Sequence, residues 1–401
     1  MRTLVFYISG HGFGHASRDI EVINALLARW PDLRIIVRTS APKWLFDLTV
    51  RSTGLTPPVE YHHLETDTGI AQIDSLHLDV EETVRRARSF MDGFDEAVTS
   101  EVALLRQVDA DLVVADIPPL GIAAATAAAI PSIALGNFTW DWIYSAYPET
   151  ERLIESIGGH YRSAELALRL PMHGGFSTFT MIRDLPFIAR RSRRDPVETR
   201  RAMGFPLEER LVLVSFGGYG LDGLNLDALS CLKGYVALVS DSVPLADRGG
   251  QVLNLSPSPS PCGERRGSLQ FVNEPAMYAA GLRYEDVVRA VDVVVTKPGY
   301  GIIAECLAND TALLYTSRGH FIEYDVLTRD APRFLRTAYI DHDDLFHGTW
   351  TRHLDAVLSQ SAPLDRPAVD GADVAAELLL ERIEGRLPVA SDAQESIGND
   401  S

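Results

Sequence analysis

The pattern that most constrains this chain is a three-part unit: an apolar run of strand length, a glycine-rich turn, then a segment of helical period. In the first half, Thr3 to Ser9 is apolar or β-favouring throughout and runs into Gly10-His11-Gly12-Phe13-Gly14-His15. Apolar residues then return at Ile20, Ile23, Leu26 and Leu27, the spacing of one helix face. In the second half, Arg210 to Ser215 runs into Phe216-Gly217-Gly218-Tyr219-Gly220. Further on, Asp292 to Thr296 precedes Lys297-Pro298-Gly299-Tyr300-Gly301 and a helix through Leu307. Strands that alternate with helices demand parallel sheets covered on both faces, because parallel neighbours need a crossover helix.

The same reading predicts strands at 34–38, 111–115, 132–135, 235–239, 251–255 and 312–315. It predicts helices at 42–48, 80–107, 121–129 and 284–290, and a loop over the Pro/Ser/Gly-rich stretch 256–267. A length of 401 residues suits two domains. The first covers 1–185, the polar, Pro-bearing stretch 186–204 is a linker, and the second covers 205–360. A helix within 361–386 is expected to pack across the domain junction, and the polar tail 387–401 to be disordered.

Charge removes one class of partner. With 37 Lys and Arg against 55 Asp and Glu, the net charge is −18. A protein that coats nucleic acid shows a basic stripe, and here the one dense basic run is Arg190, Arg191, Arg193 and Arg194. That run reads as a solvated part of the linker. No apolar stretch reaches the ~20 residues of a membrane helix, and the N-terminus lacks the features of a signal peptide. Cys231, Cys262 and Cys306 form no metal-ligand spacing and read as reduced thiols of a cytoplasmic protein. No bound metal or cofactor is implied. The cluster Asp341-His342-Asp343-Asp344 falls in an expected surface loop.

A glycine turn between strand and helix points backbone N–H groups at an anion, and the helix N-terminus favours negative charge. Glycine there also serves the turn alone. The first turn is not a dinucleotide fingerprint, since its glycines stand at 10, 12 and 14 and the second strand ends Val37-Arg38-Thr39-Ser40 without an acid. It carries His11 and His15 instead, which either cap the turn or face the crevice at the strand ends. An imidazole has the near-neutral pKa of a general base. Asp116 ends Leu112-Val113-Val114-Ala115-Asp116, where it either caps the next helix or orients such a base. A His–Asp pair with no nucleophile beside it suits removal of a proton from an acceptor hydroxyl. Asn137 to Tyr147 is rich in Trp and Tyr with polar residues between, suited to stacking on a sugar ring or to anchoring the fold.

Taken together, these segments resemble the GT-B glycosyltransferase superfamily, in which two Rossmann-like parallel-sheet domains face one another across a cleft. The resemblance is clearest over 3–30, 111–147 and 283–350. It implies that His15 is the base and Asp116 its support. It places Gly12, Gly14, Ser215, Gly217, Gly218, Arg283, Lys297, Gly299 and Gly301 about a nucleotide-sugar donor, with Glu305 on the ribose and Glu323 and Tyr324 on the donor sugar. Lys297 stands where the superfamily signature carries a histidine, Ile302 where it carries a serine, and Tyr324 where it carries a glutamine. His11, Asn137, Trp140 and Asp141 fall on the acceptor side. A closer resemblance is to the glycosyltransferase-like N-terminal half of plant L-arabinokinases. It rests on residues 10–16, Asn137-Phe138-Thr139-Trp140-Asp141-Trp142-Ile143-Tyr144, residues 297–301 and Leu345-Phe346-His347-Gly348-Thr349-Trp350. The kinase half of those proteins lies outside the resemblance, so sugar phosphorylation is not implied. The implied function is inverting transfer of a sugar from a nucleoside-diphosphate donor, a UDP-sugar, to a hydroxyl acceptor. A sugar-nucleotide epimerase and a nucleotide-sugar-binding module without turnover are the alternatives.

Overall fold

The computed structural model describes residues 1–51, 59–217, 221, 223–241 and 269–386. The predicted strand 251–255, the loop 256–267 and the tail 387–401 lie outside them. The described residues divide into two compact units. One comprises Met1–Ala71, Asp79–Ala189 and the residues from Ala368 onward; the other comprises Gln72–Leu78 and Arg190–Pro367.

In the first unit, strands β1 (Thr3–Ile8), β2 (Arg34–Thr39), β3 (Val59–His63), β4 (Leu112–Asp116), β5 (Ser132–Gly136), β6 (Leu166–Arg169) and β7 (Ile182–Asp184) form one sheet. Their order is β3-β2-β1-β4-β5-β6-β7, and all pairings are parallel. All six residues of β1 are buried, which is why the strand reads as an unbroken apolar run. Leu4, Phe6 and Ile8 face one side, against Ile20, Ile23 and Leu26 of the helix Gly14–Arg29 and Ala375, Ala376 and Leu379 of the C-terminal helix Gly371–Ile383. Val5 and Tyr7 face the other, against Leu105 and Ala124.

In the second unit, β8 (Arg210–Val214), β9 (Tyr235–Asp241), β10 (Gln270–Asn273), β11 (Val293–Thr296), β12 (Ala312–Tyr315) and β13 (Thr337–Tyr339) pair in parallel in the order β10-β9-β8-β11-β12-β13. Val212, Val214, Val293, Val295 and Leu314 pack with the fully buried Trp350 and with Leu354 and Val357. Leu76 of the short 72–78 segment joins this core, and Ser75 Oγ donates to the Phe216 carbonyl at 2.8 Å.

Each sheet has one place where chain order reverses, between β1 and β4 and between β8 and β11. Open α/β sheets bind ligands at the carboxyl ends of such strands.

Four local expectations change. The predicted helix 80–107 is two helices, Val80–Asp92 and Phe94–Gln107, separated by Gly93, whose lack of a Cβ makes it the weakest point of a continuous helix. The Asp341–Asp344 cluster is helical rather than a loop: Asp341 accepts from the Asp344 N–H at 2.8 Å and caps His342–His347. Cys306 is a buried free thiol, whereas Cys231 is disulfide-bonded, so reduced thiols throughout do not hold; wide spacing and an odd count gave no pairing signal. Cys262 lies outside the described residues. Arg190 is not solvated, as described below. Among the described residues no helix is long and apolar enough to cross a membrane.

Candidate active site

His15 and Asp116 meet because their strands are neighbours. β4 pairs with β1 so that Asp116 lies opposite Ile8, and the helix Gly14–Arg29 opens six residues past that point with His15 in its first turn. Gly12 bridges strand and helix at φ +73°, a conformation that favours glycine, while Gly14 is the first helical residue. His15 Nδ1 and Asp116 Oδ1 are 2.8 Å apart, and both side chains are almost wholly buried. With Nδ1 holding the proton toward the carboxylate, Nε2 keeps the lone pair that a base needs.

Asp116 has a second partner on the same helix. Arg18 Nε donates to its Oδ2 at 2.5 Å, and the Arg18 terminal nitrogens bond to Asp116 Oδ1 and to Asn137 Oδ1. Asn137 follows β5 and donates in turn to the Pro171 carbonyl at 2.8 Å. Burial alone would raise the Asp116 pKa, but Arg18 and His15 more than offset it and hold the carboxyl below its ordinary value. The Asp116–Ile117 peptide bond is cis.

The other side of His15 is lined by a carboxyl that sequence reasoning missed. Asp67 accepts from Ser9 Oγ at 3.0 Å and from Trp140 Nε1 at 3.0 Å. Burial pushes its pKa up to about 6, with His15 and these hydrogen bonds opposing. The Phe138 ring meets the His15 ring edge-on, with centroids 5.4 Å apart. Trp140 is 1% exposed, so it shapes this wall from within. Asp141 is likewise buried, accepting from the Trp142 N–H at 3.0 Å and from Thr178 Oγ1 at 3.2 Å. His11 accepts at Nδ1 from the Ile70 N–H at 3.4 Å, and its own backbone N–H donates to Ser9 Oγ at 3.4 Å.

The second unit gathers a different set at its own reversal point. Beyond β8 come Ser215, which accepts from the Tyr284 hydroxyl at 2.8 Å, and Gly217 at φ +76°. Gly218 lies outside the described residues. Beyond β11 come Lys297, then Gly299 as N-cap of the helix Tyr300–Ala308, with Gly301 in its first turn. Lys297 Nζ donates to Gln72 Oε1 at 3.3 Å. Its burial and the neighbouring Arg318 lower its pKa to about 7, with Glu323 and Asp74 opposing. Arg318 itself lies over the Phe321 ring at 3.7 Å and 3.9 Å from Glu323. Tyr324 is part-buried, which raises its pKa to about 12.

Glu305 and Arg283 have structural partners. Arg190 Nε donates to Glu305 Oε1 at 2.6 Å, with Glu285 4.0 Å from Arg190; both glutamates are buried and Arg190 is part-buried. Arg283 is the N-cap of Tyr284–Ala290, its backbone N–H donating to Asp286 at 2.9 Å. Among the described residues no group of three or more His, Cys, Asp or Glu side chains is placed to hold a metal ion.

Two parallel-sheet, Rossmann-like units of seven and six strands define the fold class as GT-B, the fold expected from the sequence. Solved structures of the same fold include CalG4, the calicheamicin glycosyltransferase, with a TM-score of 0.58 and 12% identity over 96% of this chain and 99% of that one. UGT89C1 of Arabidopsis thaliana complexed with UDP gives 0.53 and 14% over 96% of this chain and 94% of that one. The spinosyn rhamnosyltransferase SpnG complexed with thymidine diphosphate gives 0.54 and 13% over the whole of both. At such identities the likeness is one of fold. In sequence, the chain is similar to the N-terminal part of L-arabinokinase from Arabidopsis thaliana, 28% identical over 393 residues. Those residues are 95% of this chain but 34% of that protein, so the chain spans about a third of the relative's length. No family model matches the chain.

Proposed function

We propose that the chain is an inverting glycosyltransferase that moves a sugar from a nucleoside diphosphate, UDP in the first instance, to a hydroxyl acceptor. The observation that carries this reading is the His15–Asp116 pair at the β1/β4 reversal point: a buried imidazole held by a carboxylate. His15 Nε2 takes the acceptor's hydroxyl proton. The acceptor oxygen bonds to the anomeric carbon as the bond from that carbon to the diphosphate oxygen breaks, and the diphosphate leaves with the electron pair. Asp116 stays ionised and stabilises the imidazolium.

The donor side of the reading rests on the second unit. Gly217, Gly299 and Gly301 let backbone approach the phosphates, and the Tyr300–Ala308 helix aims its N-terminus there. Lys297 offsets charge on the leaving diphosphate. Glu305 takes the ribose hydroxyls, and Glu323 with Tyr324 the donor sugar. The superfamily fold and a UDP complex among the fold neighbours support this donor class. The test is sugar release from UDP-sugars with and without hydroxyl acceptors. Acceptor-dependent release with inversion at the anomeric carbon is expected. Return of an isomerised UDP-sugar would replace transfer by epimerisation, and binding without turnover would leave a sensing module.

A further inference from the structure

Asp19 is the most deeply buried carboxyl in the first unit that the proposed mechanism does not use. It sits four residues beyond His15 on the helix Gly14–Arg29, so it shares that residue's helix face. Its exposure is 0%, and neither of its oxygens meets an N–H or O–H donor among the described residues. What does lie within hydrogen-bond reach is the carboxyl of Asp116. An ionised carboxylate buried without a donor costs several kcal/mol. Two carboxyls in hydrogen-bond contact cannot both be ionised, and one must carry the hydrogen between them.

Asp116 cannot be the protonated partner, since Arg18 bonds to both its oxygens and His15 to one. We infer that Asp19 is a neutral carboxylic acid that donates its hydroxyl hydrogen to the Asp116 carboxylate and so positions the His15 base. Burial and the Asp116 charge both push the Asp19 pKa well above the carboxylate range, with Arg18 opposing. The charged and titratable groups facing Asp19 are Arg18 on its own helix and Asp116 from β4, with His15 beyond Asp116. The cluster then holds one cation and one anion, and no net negative charge stays buried. Asp116 is pinned by Arg18, Asp19 and His15 together, which fixes the imidazole plane and tautomer. Asp19 is thus a positioning residue acting through Asp116. Its part in catalysis rests on the transferase reading, whereas its protonation state does not.

The infrared difference spectrum of wild type minus Asp19→Asn at pH 7 tests the state directly. A protonated-carboxyl C=O stretch that shifts in D2O is expected; loss of a carboxylate band in its place overturns the inference. Positioning is read from 15N-histidine spectra, with His15 assigned by its disappearance in His15→Gln. The Nδ1–H form should persist in Asp19→Asn, whose amide still donates, and be lost to mixed tautomers in Asp19→Leu; an unchanged His15 signal in Asp19→Leu overturns it. If the protein transfers sugar, Asp19→Leu should lower kcat about tenfold at unchanged KM, in line with one hydrogen bond to a charged group, and Asp19→Asn should recover most of that loss. Equal loss in both variants contradicts the neutral acid. Should Asp19→Leu not fold, the infrared arm still decides the protonation state. Absence of transfer in wild type would count against the transferase reading and leave the spectroscopic results standing.

Discussion

Diphosphate binding should carry a proton with it. Lys297 has a pKa of about 7 because it is buried beside Arg318. At pH 8 such a group is about 10% protonated in the free protein. A bound diphosphate favours the ammonium form, so the complex holds the proton almost fully. UDP binding at pH 8 should therefore take up about 0.9 proton per site. If only the charged form binds, apparent affinity scales with the protonated fraction, which falls from about 0.5 at pH 7 to 0.01 at pH 9. That is roughly a 50-fold weakening over two pH units. The sign is fixed: affinity falls as pH rises, since the free lysine loses the proton that the complex needs. Calorimetry in two buffers of different ionisation enthalpy reads the uptake. Lys297→Arg, charged at every pH used, should show no uptake and a flat profile, and Lys297→Met should bind weakly without uptake. A wild-type enthalpy that does not depend on buffer, or equal uptake in Lys297→Met, would refute the reasoning.

Three further outcomes follow from the geometry. Glu305→Ala leaves the part-buried Arg190 guanidinium with the more distant Glu285 as its one acidic partner among the described residues, and should cost about 3 kcal/mol in denaturant unfolding; unchanged stability would show that the pair is not load-sharing in solution. The same variant should weaken UDP by roughly 10–150-fold while binding 2′,3′-dideoxy-UDP as wild type does, a pattern that a purely structural glutamate would not give. Asp67, raised from 3.8 to about 6, favours the fold while protonated, so that contribution is full below pH 3.8 and lost as pH rises through 6. Asp67→Asn should remove this decline, a difference of about 2 kcal/mol between pH 4 and pH 7, and parallel pH–stability curves would contradict it.

Much of the fold was legible because parallel strands are buried on both faces. β1, β4, β8 and β11 all read as apolar runs ending in a polar or glycine residue, and those ends hold His15, Asp116, Gly217 and Lys297. The break at Gly93 was written in the sequence, but apolar spacing continues on either side and hid it. Arg18 and Asp19 were within reach of a helical-spacing argument from His15, yet the neutral state of Asp19 depends on a strand almost a hundred residues away. Asp67 carried no signal, because it comes from irregular chain and gains its role from Ser9 and Trp140. Arg190 was misjudged from its arginine neighbours; its partner Glu305 is 115 residues further on, beyond any local pattern. The short segment 72–78 joins the second unit through Leu76 and Ser75, a placement that local spacing does not encode.

The central claim is that His15 is the base for sugar transfer, and one paired measurement addresses it. Sugar transfer from the best UDP-sugar is assayed for wild type and His15→Ala, with UDP affinity measured on the same preparations. The account predicts a fall in kcat of about 10²–10⁴-fold with UDP binding retained, because positioned general-base catalysis is worth about that much. Equal turnover in the two proteins would contradict it and move the base elsewhere, with His11 the next residue to replace.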